Sequence, residues 1–305
     1  MSWKTIHGQH HHCGWSRERK PVARVGLEEI VELEVLEASG GVIQPGSSVN
    51  DLERLHPDRA NPTTGPIHID GAKPGDWLEV EILDTTLSHW GWTAILPDFG
   101  LLSGDYPEPW LRISKIRGEL LDFGEGLEIP VRPFPGTIGV APNEKDPLPS
   151  IPPHRCGGNI DCRDLVVGSK LYLPVEIEGA LFSVGDTHAA QGEGEVCGTA
   201  VESPMSLQLR FQLHKGKGKN GLAMDSPASV RPPPSKPSHS TFGIGTSLEE
   251  CAREAVRRMI DWLMRERGIG SETAYALCSV QGDLSVTQIV NQPHFTVRFN
   301  LPYWE

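Results

Sequence analysis

Alternation of apolar and polar residues at period two is the strongest pattern in this chain. In MSLQLRFQL (205–213) Met205, Leu207, Leu209, Phe211 and Leu213 share one face, and Ser206, Gln208, Arg210 and Gln212 share the other. That is the signature of a strand with one buried face. VELEVLEA (31–38) and DWLEVEILD (76–84) repeat it, setting Val31, Leu33, Val35 and Leu78, Val80, Ile82 against glutamates. KLYLPVEIEGALFSVGD (170–186) reads as a strand interrupted at Pro174, which suits an edge or a bulge, and resumed after Gly179 by the apolar run 180–184. DLSVTQIV (283–290) is a further strand candidate.

Only the C-terminal quarter changes period. Ser247 and Glu250 form a capping-box signature, Leu248, Ala252, Ala255, Val256, Met259, Ile260 and Leu263 recur at helical spacing, and Gly268 is placed to end the run. A second short helix begins near Ser271. The expected fold is mainly β, a β-rich α+β class: antiparallel β-sandwich layers with an amphipathic helix near the C-terminus, as one domain over residues 1–305. The Gly-, Pro-, Ser- and Lys-rich stretch 214–240 reads as a connector before the helical part.

Composition agrees with a turn-rich globular chain: 33 glycines and 26 prolines in 305 residues exclude an all-helical architecture. With 28 basic against 40 acidic side chains the net charge is −12, which argues against nucleic acid or an anionic membrane as partner and favours a small neutral or cationic substrate. No run approaches the ~18 apolar residues of a membrane span, and MSWKTIHGQHHHCGW lacks a hydrophobic signal core, so a cytoplasmic location is expected. The six cysteines form no CxxC pair and read as reduced thiols, Cys251 and Cys278 as small buried hydrophobes.

Reactive side chains concentrate in three stretches. GDTHAAQGEGEVCG (185–198) carries Asp186 and His188 two apart, and Glu193, Glu195 and Cys197 two apart. Wherever this stretch is extended, the members of each set turn to one side. Asp186 and His188 suit two ligands of a divalent metal at a strand end, with Asp161 or His12 as the third; Glu193 and Glu195 then serve as ligand and general base, or as turn carboxylates. The competing chemistry makes Cys197 a nucleophile with Glu195 as its base, and an inert buried thiol is the third reading. In GGNID (157–161) Gly157 and Gly158 allow a sharp backbone path that delivers Asn159 and Asp161 at alternate positions, facing a pocket or closing their own turn. GQHHHCGW (8–15) holds a histidine cluster that is either a surface feature or part of a site.

NPTTGPIHIDGAKPGD (61–76), PFPGTIGVAP (133–142), GGNIDCRDL (157–165) and the long stretch 170–204 together resemble the acetamidase/formamidase family. The resemblance runs from His12–Trp15 through Gly91 and Trp92 to the C-terminal helix and VTQIVN, essentially the whole chain. It implies a β-rich sandwich, hydrolysis of short linear amides such as formamide or acetamide to carboxylate and ammonia, and a homo-oligomer. Asn159, Asp161, Asp186, His188, Gln191, Glu193, Glu195 and Cys197 match positions of the family's polar core. Ser16 after Trp15, where Asp or His is usual, and Glu193, where Asp is frequent, depart from the pattern. The expectation carried forward has a divalent metal, zinc or calcium, on Asp161, Asp186, His188 and His12. Glu195, Glu193 and Cys197 are the catalytic candidates, and Asn159, Gln191 and Trp15 the substrate contacts. A metal-independent amidase using Cys197 and a non-catalytic small-amide binder are the alternatives.

Overall fold

The structure is a computed structural model and describes residues 4–228 and 236–303. Two large sheets face each other. The first has nine strands, in the order Lys4–Ile6, Ile30–Val35, Met205–His214, Trp77–Leu87, Lys170–Pro174, Ala223–Ser226, Ser238–Gly245, Phe295–Pro302, Asp283–Gln288. All neighbours in it are antiparallel except the first pair. The second has eleven strands and contains Phe182–Ala190 at its centre, hydrogen-bonded to Phe134–Val140 on one side and to Thr63–Ile69 and Val201–Glu202 on the other.

The alternating strands behave as their sequences require. Val31, Leu33 and Val35, Leu78, Val80 and Ile82, and Leu207, Leu209 and Phe211 are all buried and meet Ile67, Ile138, Phe182 and Val184 of the opposite sheet in one core. Burial of each such side chain is worth ~1.5–3 kcal/mol. Phe182 and Phe211 cross the interface edge to face, centroids 5.0 Å apart, and so register the two sheets on each other. The stretch 170–186 divides as its Pro174 and Gly179 suggest, into Lys170–Pro174 and Phe182–Ala190, which belong to different sheets.

Helix α1 (Leu248–Arg267) begins at Ser247, whose side chain accepts from the Glu250 N–H, and ends at Gly268 in the left-handed region. Its Cys251, Ala255, Met259 and Leu263 are buried, and α2 (Ser271–Gln281) adds Ala274 and Cys278 to a second core built on Phe299 and Leu301. All six cysteines are free thiols. The stretch 214–240 is more than a connector: it supplies Ala223–Ser226 and the start of Ser238–Gly245 to the nine-stranded sheet, while its residues 229–235 lie outside the described ones. Among the described residues no helix is long and apolar enough to cross a membrane.

Between Ile30–Val35 and Thr63–Ile69 the chain makes an excursion containing the short 3-10 turns Val49–Arg54 and Pro57–Arg59. Buried Glu37 anchors it by accepting from Trp92 Nε1 (2.7 Å), Ser39 N (2.7 Å), Ser39 Oγ (2.6 Å) and Gly41 N (2.7 Å). Four donors on one carboxylate offset the cost of removing it from water. This excursion walls the cavity described next.

Candidate active site

Phe182–Ala190 delivers Asp186 and His188, both buried, to the same place. His188 Nε2 lies 3.3 Å from Asp186 Oδ1 and 3.2 Å from Glu202 Oε2 of the short neighbouring strand. Asp161 arrives from the turn after Gly157–Asn159, and Glu195 from the glycine-rich loop beyond residue 190. Ligand-type atoms of Asp161, Asp186 and His188 lie within 4.8 Å of one another, as do those of His188, Glu195 and Glu202, so the two sets share the imidazole. Gly136 makes the convergence possible, because a Cβ there would stand 2.6 Å from both Asp161 Oδ1 and His188 Cε1.

The backbone is bent to reach this arrangement. Asp161, Asp186 and Glu195 have φ of 46°, 50° and 48°, the left-handed region that costs a side-chain-bearing residue energy unless its surroundings hold it there. Much of the hold comes from Thr287, at the end of strand Asp283–Gln288. Its Oγ1 donates to Ile160 O at 2.7 Å, and its carbonyl accepts from Gly194 N at 3.1 Å and from Gln191 Nε2 at 3.2 Å. Next to it Asn291 donates to Asp161 Oδ2 at 2.5 Å.

Gln191 decides the state of the imidazole. Its Nε2 donates to the carbonyls of Asp161 (3.0 Å) and Thr287 (3.2 Å), so its Oε1, 2.9 Å from His188 Nδ1, must accept a proton from that nitrogen. In the neutral ring Nε2 then carries the lone pair, facing two carboxylates. Lone pair and carboxylates repel unless a proton or a cation stands among them. Asp161 Oδ1 is moreover buried without a hydrogen-bond partner, and the one polar neighbour of Glu202 Oε2 is His188 Nε2 at 3.2 Å.

The charge balance says the same. Four buried carboxylates surround one imidazole. Burial, reinforced by Asp186, lifts Asp161 to about 8, and burial opposed by His188 lifts Glu202 to about 7. Glu195 is held well above the carboxylate range by burial and the neighbouring Asp161 charge. Although burial favours the neutral ring, Glu202 and Asp186 hold His188 well above its usual value. The cluster thus retains positive charge, as protons or as a metal ion.

A cavity of about 480 Å³ opens onto this floor, lined there by Asn61, Asn159, Asp186, Glu195, Glu202 and Asn291. Asn61 Nδ2 donates to Asp186 Oδ2 at 2.9 Å, and the Thr137 hydroxyl lies 2.5 Å from Asn159 Oδ1 and 3.2 Å from Asp186 Oδ2. With its oxygen occupied, Asn159 presents Nδ2 as a free donor; with its nitrogen on Asp161, Asn291 presents Oδ1 as an acceptor.

The other expected site residues lie elsewhere. Both ring nitrogens of His12 are engaged, Nδ1 with Gly14 O at 3.0 Å and Nε2 with Ser183 Oγ at 2.9 Å, and burial lowers its pKa to about 4. It belongs to neither ligand set. Trp15 is buried with its ring edge-on to His154, centroids 5.0 Å apart, and does not line the cavity. Glu193 faces Arg163 and Arg298, each at 3.3 Å. Cys197 Sγ points to Thr199 O at 3.3 Å and lines, with Glu193 and Gln191, a second cavity of about 460 Å³ that touches the first at Glu195. Gln191 acts behind His188 instead of lining the first cavity. Glu202, Asn61 and Asn291 are the members that sequence reasoning passed over, although each stands inside or beside a stretch that carries the family resemblance.

A layered β fold that buries acids and a histidine at the floor of a cavity has the parts of a hydrolytic centre, with proton carriers and ligand atoms in reach of one small guest. The profile of the acetamidase/formamidase family matches residues 3–150 and 145–304. A formamidase of Methylophilus methylotrophus is 24% identical over 95% of this chain and 88% of its own length. An acetamidase of Mycolicibacterium smegmatis is 27% identical over 67% of this chain and 66% of its own. The crystal structure of an acetamidase from Bacillus halodurans matches with a TM-score of 0.89 and 30% identity, covering 97% of this chain and 96% of that one. The chain belongs to the acetamidase/formamidase family and is a hydrolase acting on the carbon–nitrogen bond of linear amides.

Proposed function

We propose that the chain hydrolyses short linear amides of the formamide and acetamide type to carboxylate and ammonia, with a divalent metal held by His188, Asp161, Asp186 and Glu202. The observation that carries the metal is the convergence of His188 Nε2 with carboxylate oxygens of Asp161, Asp186 and Glu202, of which Asp161 Oδ1 is buried without a hydrogen-bond partner. Two of the spacings lie close to what zinc asks: ligand atoms at ~2.0–2.2 Å from a tetrahedral zinc stand about 3.3–3.6 Å apart, His188 Nε2 is 3.3 Å from Asp186 Oδ1 and 3.2 Å from Glu202 Oε2, and Asp161 joins Asp186 and His188 within 4.8 Å. An imidazole among carboxylates favours zinc over calcium, whose ligands are oxygens. When bound, such an ion polarises the amide carbonyl and lowers the pKa of a water molecule toward ~7.

The chain's own residues supply the rest. Asn159 Nδ2 and Asn291 Oδ1 offer one donor and one acceptor, the complement of a primary amide's carbonyl and NH2 group. Glu195 stands at the cavity floor, where burial and the Asp161 charge hold its carboxyl well above the usual carboxylate range, and it is the group placed to move a proton from water to the departing nitrogen. Gln191 fixes the imidazole so that Nε2 stays turned to the cluster, the supporting role typical of groups behind a metal ligand. Cys197 has no place in this scheme.

Ammonia release from formamide and acetamide, measured on protein before and after exhaustive chelation, with metal content determined on both samples, tests the proposal. Turnover is expected to fall with metal content and return on adding zinc; full turnover in the metal-free sample would refute the metal, and no ammonia from any amide would refute the activity.

A further inference from the structure

We infer that the acyl side of the substrate is an uncharged apolar chain longer than that of acetamide, and that the enzyme prefers such amides to formamide and acetamide. The inference rests on the amidase reading above and concerns the part of the cavity that the reacting amide does not need. At roughly 30 Å³ per water-sized group, the four heavy atoms of acetamide fill about 120 Å³, a quarter of the cavity of about 480 Å³. The remainder extends away from the polar floor between Val42, Leu55, Trp92, Leu96, Phe99 and Ile151.

These walls are held in place. Glu37 ties the Trp92 indole to Ser39 and Gly41, and Ser39 Oγ in turn accepts from Ile43 N at 2.9 Å, which fixes the segment bearing Val42. Trp92, Leu52 and Ile43 belong to one small core against which Val42, Leu55 and Leu96 pack. Phe99 lies so close over Gly198 that a Cβ there would meet its ring at 2.4 Å. A wall anchored in this way does not collapse onto a one- or two-carbon acyl group, so a small substrate leaves the apolar lining wet. A longer chain displaces that water.

Apart from the floor carboxylates, the charged lining residues nearly balance: Arg54, paired with Asp51 at 3.2 Å, and Arg59 are accompanied by Asp98, so a charged tail finds no excess of opposite charge there to offset the water it loses along the apolar walls. The polar floor also orients the substrate: Asn159, Asp186, Glu195 and Glu202 lie together, so the amide end goes in first and the acyl chain follows the apolar walls outward.

Each methylene buried against such walls is worth about a fourfold gain in kcat/KM at full burial. The test is ammonia release by the metal-replete protein from formamide, acetamide, butanamide, hexanamide and 6-aminohexanamide. kcat/KM is expected to climb by at least tenfold from acetamide to hexanamide, with 6-aminohexanamide at least tenfold below hexanamide. Leu55→Phe, which narrows the apolar part, is expected to cut the hexanamide-to-acetamide ratio by at least tenfold. A kcat/KM that is flat or falls beyond acetamide, or equal rates for hexanamide and its amino derivative, overturns the inference while leaving the amidase reading standing. No ammonia from any of the five overturns both.

Discussion

Gly136 gives the sharpest test of how tightly the cluster is built. Its φ lies outside the left-handed region, so alanine is acceptable to the backbone and the substitution Gly136→Ala probes space alone. The added methyl would sit 2.6 Å from Asp161 Oδ1, 2.6 Å from His188 Cε1 and 2.9 Å from Asp186 O, three groups of the cluster at once, none of them the free end of a flexible side chain. Something must move by about 0.4–0.8 Å, because real Cβ atoms essentially never come within 3.0 Å of such neighbours and ordinary contact starts at 3.4 Å. Overpacking on this scale costs about 1–3 kcal/mol of stability. A shift of about 1 Å in catalytic groups costs on the order of 100-fold in rate. Gly218→Ala is the control: its methyl would meet Asp76 O at 2.5 Å and Gly75 O at 2.9 Å, a clash of the same size away from the cluster. Denaturant unfolding and kcat/KM for acetamide on both variants separate the two costs. Gly136→Ala is expected to lose both stability and about 100-fold in activity, and Gly218→Ala stability only. Activity of Gly136→Ala within threefold of wild type would show that the groups around it do not act as a fixed set.

Other expectations follow from the same contacts. Gln191→Met removes the acceptor from His188 Nδ1 and the donor to two carbonyls, and lowers metal affinity and kcat/KM by about 10–100-fold, read by metal titration and ammonia release. Cys197→Ser keeps acetamide turnover within threefold, since Sγ is bonded to Thr199 O outside the cluster; a loss beyond 100-fold would restore the thiol as nucleophile. Burial depresses His154 to about 3 from the 6.5 of an unfolded chain, so it contributes stability above pH 6.5 that is lost as pH falls toward 3. In His154→Asn, which keeps an acceptor near Nδ1 for the Cys156 N–H, the stability–pH slope between 6.5 and 4 differs from wild type by about 1.4 kcal/mol per unit in unfolding titrations; identical slopes would mean that His154 charges in the fold.

Strands with one wet face announce themselves, and Met205–His214, Trp77–Leu87 and Ile30–Val35 were legible for that reason. Phe134–Val140 is buried at every position, and Thr63–Ile69 at all but one, so no alternation marks them, yet they flank the strand that carries Asp186 and His188. In the site, Asp186 and His188 could be paired from sequence because they stand two apart on one strand, whose pairing with Phe134–Val140 keeps its register past the left-handed φ of Asp186. The same rule fails for Glu193 and Glu195. Gly194 and Glu195 both take positive φ, so the loop is not extended, and the two side chains part company, one toward Arg298 and the other into the cluster. Glu202 stands on a strand of two residues, too short to show a period, and Asn291 reaches Asp161 across 130 positions of sequence. The histidines near the N-terminus looked like ligands by type; local partners, Gly14 and Ser183, occupy His12 on both sides.

The account depends on a cation among His188, Asp161, Asp186 and Glu202. Diffraction from crystals of active protein, recorded on both sides of the zinc absorption edge, locates it directly. The account predicts an anomalous peak in contact with His188 Nε2 that vanishes in His188→Ala; active crystals with no peak there would contradict it.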